Sequence, residues 1–199
     1  SRGDLLSRLG KLGEAEKQYE EAEELHRKEK DALGLANTLR SRGDLLSCLG
    51  KLKEAEKQYE EAEERYREEK DDLGLANTLK SRGDFLSRLG KLEEAEKQYE
   101  EAEELFRKEK NDLELANTLK SRGDLLSRLG KLEEAEKQYE EAEELFRKEK
   151  NDLELANTLK SRGDLLSRLG KLEEAEKQYE EAGELYRKER RLVLGLRIR

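Results

Sequence analysis

The chain has 199 residues, of which 46% are charged, 33% hydrophobic and 5% aromatic, and it contains no Pro, Met or Trp. Its 42 basic and 50 acidic side chains leave a net charge of −8, which argues against indiscriminate nucleic-acid binding, a task that needs a basic face. No apolar run nears the ~18 residues of a membrane span, and a single cysteine, Cys48, excludes an intrachain disulfide.

Such a composition sits near that of disordered chains, so patterning has to make it fold. Ser-Arg-Gly-Asp recurs at Ser1, Ser41, Ser81, Ser121 and Ser161, and blocks 81–120 and 121–160 differ only at Phe85 and Leu125. A fixed period in the range of roughly 20–50 residues is the mark of a stacked array. The absent initiator Met reads as a fragment or a processed chain.

Taken in chain order, Ser1 falls midway through a first, truncated helix, and each full period then holds two helical segments. The fourth shows them best. Asn111-Asp112 supplies an N-cap, and Leu115, Ala116, Leu119, Gly123, Leu126 and Leu129 recur three or four apart, which predicts helix A over 112–129. Gly130 suits the position just past a helix C-terminus, and Lys131-Leu132 leads into the next segment. There Leu132, Ala135, Tyr139, Ala142, Leu145 and Phe146 form one apolar stripe, predicting helix B over 133–150. Glutamates crowd its start and Arg147, Lys148 and Lys150 its end, as the helix dipole prefers. Glu133–Lys137, Glu143–Arg147 and Glu144–Lys148 stand i,i+4, the spacing of ion pairs along one helix. A continuous coiled coil is disfavoured: 40 is not a multiple of seven, and Gly123 and Gly130 punctuate the block. The expected fold is all-α, a right-handed α-solenoid of antiparallel helix A/helix B hairpins with a period of 40. It spans 1–190 in about five repeats, followed by a C-terminal partial helix or tail at 191–199.

Gly123, Ala135, Tyr139 and Ala142, with the turn Gly130-Lys131-Leu132-Glu133-Glu134-Ala135, resemble the tetratricopeptide repeat family along essentially the whole chain. The Ala135-x-x-x-Tyr139 gap is similar to that family's A-x-x-x-F word. Leu119 stands at the family's Trp site, Arg122 at an apolar site and Leu126 at a Tyr site. The terminal Pro is missing, and the period exceeds the common ~34 residues, which a longer helix B accommodates. An Arg at an apolar site must snorkel or find a carboxylate, so Arg122 and its equivalents are expected to meet helix-B glutamates.

The resemblance implies a non-enzymatic protein–protein interaction scaffold whose concave surface, lined by helix A, holds an extended or helical peptide. On this chain the corresponding residues are Asn37, Arg40 and Asp44; Asn77, Lys80, Asp84 and Arg88; Asn117, Lys120, Asp124 and Arg128; and Asn157, Lys160, Asp164 and Arg168. The Lys and Arg ladders suit carboxylates, and Asn and Asp suit a peptide backbone. The alternative reading is a self-assembling structural array, stacked head to tail through its terminal repeats, with Leu192, Val193, Leu194, Leu196 and Ile198 as the self-association residues. The expected partners are therefore a protein or peptide, or another copy, with no nucleic acid and no membrane. No cofactor or metal is expected, since no set of converging ligands and no nucleophile–base pair stands out. Three features take structural readings. The recurrent Arg-Gly-Asp lies within a helix instead of an exposed loop. His26 fills the slot held elsewhere by Tyr66, Phe106, Phe146 and Tyr186. Cys48 replaces an Arg at a tolerant, exposed position.

Overall fold

The computed structural model describes the backbone of residues 1–196 and the side chains of residues 1–191. Ten helices follow one another among the described residues, with no strand. They are α1 (Arg2–Arg8), α2 (Leu12–Glu29), α3 (Ala32–Cys48), α4 (Leu52–Glu69), α5 (Asp72–Arg88), α6 (Leu92–Lys108), α7 (Asp112–Leu129), α8 (Leu132–Lys148), α9 (Asp152–Arg168) and α10 (Leu172–Leu196). The odd-numbered helices are the A helices and the even-numbered ones the B helices. The chain divides into two compact units, Ser1–Leu105 and Phe106–Arg199.

Local signals set the helix ends. Asn111 and Asn151 accept hydrogen bonds from the backbone N–H of Glu114 and Glu154 at 3.2 Å, and Asp31 and Asp71 do the same for Gly34 and Gly74. Gly130 takes φ 79°, the left-handed turn that frees the chain to reverse into α8. The B helices end differently from the A helices. Lys30, Lys70, Lys110 and Lys150 occupy the left-handed region at φ 54–58°, where a Cβ is a liability. At Lys70, whose amide donates to Arg67, the following Asp71 amide closes back on the Tyr66 carbonyl at 3.0 Å. The last helix does not break at the corresponding place: α10 continues to Leu196.

In the first unit α1 packs on α2, α2 on α3, α3 on α4 and α4 on α5, with α3 also against α5; in the second, α7 packs on α8, α8 on α9 and α9 on α10, with α7 also against α9. Within each unit a core layer joins a hairpin to the next A helix. Ala15 and Tyr19 of α2 meet Leu45 of α3, and Ala135 and Tyr139 of α8 meet Leu126 of α7 and Leu165 of α9. The apolar stripes of α2 and α8 are thus each shared between two neighbours. In the first unit, Phe85 adds a tilted ring contact to Tyr59, with centroids 5.6 Å apart.

The Arg-Gly-Asp words lie inside these helices, and each residue has a packing role. Arg42 reaches back from α3 to Glu23 at 2.6 Å and Glu20 at 2.7 Å on α2. Arg82 reaches Glu63 at 3.1 Å and Glu60 at 3.0 Å on α4. Arg162 reaches Glu143 at 3.2 Å and also Glu140 on α8. The expectation of helix-B glutamate partners is met at these three arginines. Gly43 and Gly123 lie under the rings of Tyr59 and Tyr139, where an added Cβ would come within 2.8 and 2.7 Å of ring carbon. The Asp that follows accepts the tyrosine hydroxyl.

In α8 the charges turn outward from their own helix to its neighbours, whereas in α2 Arg27 keeps the i,i+4 pair with Glu23 at 3.0 Å. Glu143 pairs with Arg162, Arg147 with Glu181 at 2.6 Å, and Lys148 with Asp112. The i,i+4 spacing of Glu143–Arg147 and Glu144–Lys148 is therefore not how Arg147 and Lys148 are used. Both side chains stand at the B-helix edge, where a facing carboxylate on another helix is within reach. Lys51–Glu16 at 2.6 Å and Lys171–Glu136 at 2.9 Å repeat the arrangement.

Candidate functional site

Four A helices present the same row of side chains on one face. In α5 it is Leu73, Asn77, Lys80, Asp84 and Arg88, spaced i, i+4, i+7, i+11 and i+15, which a helix stacks on one side. α7 repeats it as Leu113, Asn117, Lys120, Asp124 and Arg128, and α9 as Leu153, Asn157, Lys160, Asp164 and Arg168. In α3, Leu33, Asn37, Arg40 and Asp44 are followed by Cys48.

The leucines were not part of the expected face. Leu33 and Leu73 are 40% exposed, Leu113 37% and Leu153 48%, so each row opens with an apolar side chain in water. The clue was present in the sequence, since 33, 37, 40 and 44 share one helical face. Leucine at the start of an apolar stripe reads as core until burial is known.

The polar members are partly engaged with one another. Tyr139 donates its hydroxyl to Asp124 Oδ1 at 2.6 Å, while Lys120 Nζ lies 3.3 Å from Oδ2 of the same carboxylate. Tyr99 and Lys80 hold Asp84 in the same way, at 2.7 and 3.4 Å. Burial pushes the Tyr59 and Tyr139 hydroxyls well above the ordinary phenol range, with the nearby Asp44 and Asp124 carboxylates adding to the effect. Burial also raises Asp44, against the opposing pull of the Tyr59 hydrogen bond. Asn37 and Asn77 donate to the carbonyls of Leu33 and Leu73 four residues back, and Asn157 accepts from the Tyr186 hydroxyl at 2.7 Å.

Arginine at the end of the row ties consecutive A helices together. Arg88 donates to Ser47 Oγ at 2.9 Å and Arg168 to Ser127 Oγ at 2.6 Å. Cys48 sits at the equivalent place in α3, exposed, and beside it opens a cleft of about 400 Å³ that includes Ser7, Arg40 and Asp44. Lys160 and Asp164 are exposed, and Asn117 and Lys120 are half-buried. The structure therefore brings the residues of each row together on one face. The expected self-association residues lie outside the described side chains: Leu192, Val193, Leu194 and Leu196 in the last turns of α10, and Ile198 beyond it.

Among the described residues no three His, Cys, Asp or Glu side chains gather as a metal site, and no helix is long and apolar enough to cross a membrane. His26, with Nδ1 2.9 Å from Asp31 Oδ2, takes the place of the buried rings of Tyr66, Phe106 and Phe146.

The repeat geometry can be set beside known proteins. The tetratricopeptide repeat description matches residues 1–68 and 74–148, and again 120–192. The chain belongs to the tetratricopeptide repeat family. Among curated proteins none matches it significantly. Solved structures of the same fold include BtubC from P. vanneervenii, at 21% identity and a TM-score of 0.85, covering 94% of this chain and 78% of that one. A putative kinesin light chain with nearly identical TPR-like repeats from Podosopora anserina has 13% identity and a TM-score of 0.77, covering 95% and 93%. A Rap protein complexed with competence and sporulation factor has 18% identity and a TM-score of 0.77, covering 92% of this chain but 51% of that one. Tetratricopeptide arrays of this kind serve as protein–protein interaction scaffolds.

Proposed function

We propose that this tetratricopeptide array holds a peptide segment of a partner protein on the face of its A helices. The observation that carries the reading is the recurring row of an exposed Leu, an Asn, a Lys and an Asp in α5, α7 and α9. Such a row offers a partner an apolar foothold and, one turn away, hydrogen-bonding and charged groups with unused valences. Asp124 has two of its acceptor sites occupied, by Tyr139 and Lys120, and a carboxylate has about four. Lys120 spends one of three donors there. A similarly folded Rap protein has been solved complexed with competence and sporulation factor, which supports the reading.

The test is selection of displayed peptides on the immobilised chain, followed by titration of a selected peptide against the Lys120→Glu, Lys160→Glu double variant. Charge reversal is expected to weaken binding about tenfold, since one to two charge-assisted contacts of ~1 kcal/mol are lost at a partly exposed site. Far-UV circular dichroism should stay unchanged. Equal affinity for both proteins would remove this face from partner recognition.

A further inference from the structure

One stretch of the A-helix face differs from its counterparts, and it lies in the first unit where α3 meets α5. The helices that form it are full-length: α3 and α5 have 17 residues each, and α4, which packs on both, has 18. α9 carries Glu154 where α5 carries Gly74, and α8 carries Phe146 where α4 carries Tyr66. The two changes go together. A Cβ on Gly74 would stand 2.2 Å from the Tyr66 ring, so the glycine lets that ring lie across the start of α5. Tyr66 is 1% exposed, and its hydroxyl is buried without a hydrogen-bond partner. Tyr186, at the same position in α10, donates to Asn157. Asn37, the corresponding residue of α3, instead has its amide turned to the Leu33 carbonyl.

Arg40 stands beside that hydroxyl, where its charge opposes the rise that burial imposes on the Tyr66 pKa. It is half-buried, and its Nε is buried without a hydrogen-bond partner. Its counterparts are neutralised on their own helices, Lys80 by Asp84 at 3.4 Å and Lys120 by Asp124 at 3.3 Å. Asp44, the equivalent carboxylate in α3, accepts from Tyr59 at 2.8 Å and meets Arg40 only through space. Two donors, one of them cationic, thus converge where no acceptor is supplied, and a buried donor left unpaired is costly. A carboxylate has the opposite charge and can accept from a guanidinium and a hydroxyl at once. It is also the group that α9 carries in Glu154 and α5 lacks. We infer that this part of the A-helix face receives an aspartate or glutamate side chain of the bound peptide. The inference rests on the reading of that face as a peptide site and adds the class of residue and its place. Leu33 and Leu73, exposed on the same two helices, offer the neighbouring peptide residue an apolar contact. Glu114 and Glu154 disfavour an equivalent anchor in the second unit by like charge.

The probes are peptides selected by display on the immobilised whole chain and resynthesised with acetylated and amidated ends. Each is paired with versions in which one Asp or Glu becomes Asn or Gln, and affinities are read by fluorescence anisotropy. At one acidic position the amide is expected to weaken binding to the unaltered chain about tenfold, as loss of a charge-assisted contact does. On the Arg40→Gln variant the same acid and amide peptides should differ by less than about twofold. Tyr66→Phe installs the ring that Phe106 and Phe146 already provide at this position. It should keep its urea midpoint and narrow the acid–amide difference several-fold. An amide that costs nothing at every acidic position overturns the inference. So does a cost that is the same on the unaltered chain, Arg40→Gln and Tyr66→Phe. Peptides that weaken with the Lys120→Glu, Lys160→Glu variant yet ignore Arg40→Gln leave the A-face reading standing and end this inference alone. Failure to select any peptide ends both.

Discussion

Arg82 and Glu63 show how a chain so rich in charge can pack closely. Glu63 is 9% exposed, and burial raises its pKa against the opposing pull of Arg82. A carboxylate at that depth is tolerable only with a guanidinium fork across it, and Arg82 supplies one that also holds Glu60. Arg82→Ala would leave Glu63 buried without its partner. We expect a loss of about 1–3 kcal/mol, the cost of an unsatisfied buried polar group, measured as a lower midpoint in urea unfolding. Gly123 is constrained from the other side. A methyl group there would sit 2.7 Å from the Tyr139 ring, and the ring cannot swing away without giving up its bond to Asp124. Helix propensity alone would favour Gly123→Ala by ~1 kcal/mol. Overpacking of about 1–3 kcal/mol opposes it, and we expect the variant to be less stable. A raised urea midpoint would show that the ring moves freely.

At the scale of the element, the B helices are stopped by a residue poorly suited to the task. Lys70 adopts φ 56° with no glycine in sight, and the turn persists because Asp71 bonds back to the Tyr66 carbonyl and then caps α5. Lys70→Gly should therefore stabilise the fold by up to ~1 kcal/mol, since a left-handed conformation costs an L-residue about that much. The change in thermal midpoint checks it. An unchanged or lower midpoint would mean that the greater freedom of glycine in the unfolded chain cancels the relief. The same paired elements show which signals were readable. The A helix was legible at both ends, because Asn111 and Gly130 are standard cap residues. The end of the B helix was not, because nothing in Lys-Glu-Lys marks a left-handed lysine.

At the scale of the whole molecule, the joint between α8 and α9 should respond to pH. Glu143 is raised to about 7 by burial, only partly offset by Arg162 and Arg147, and Glu181 adds to the rise. Arg162 also faces Glu140 and Glu136, and Lys171 faces Glu136. The folded-state pKa lies above the ordinary carboxylate value, so folding takes up a proton. The stabilisation from this group is complete below the unfolded value of ~4.3 and is lost as pH rises through about 7. Thermal stability should accordingly rise as pH falls from 8 towards 5. Glu143→Gln, which stays neutral throughout, should flatten that slope. A slope unchanged in the variant would assign the proton uptake to other groups.

The sequence by itself determined the period, the helical hairpin and the common face of the polar residues in each A-helix row, because helix geometry turns spacing into shared faces without reference to neighbours. It also placed a helix-B carboxylate opposite the odd arginine, since charge at an apolar site allows few alternatives. Tertiary structure alone decided which leucines are wet, as Leu73 and Leu113 are, and which are dry. It also directed Arg147 to Glu181 instead of Glu143. Each of these depends on what the adjoining helix covers, and a one-dimensional pattern records only which side of its own helix a residue occupies.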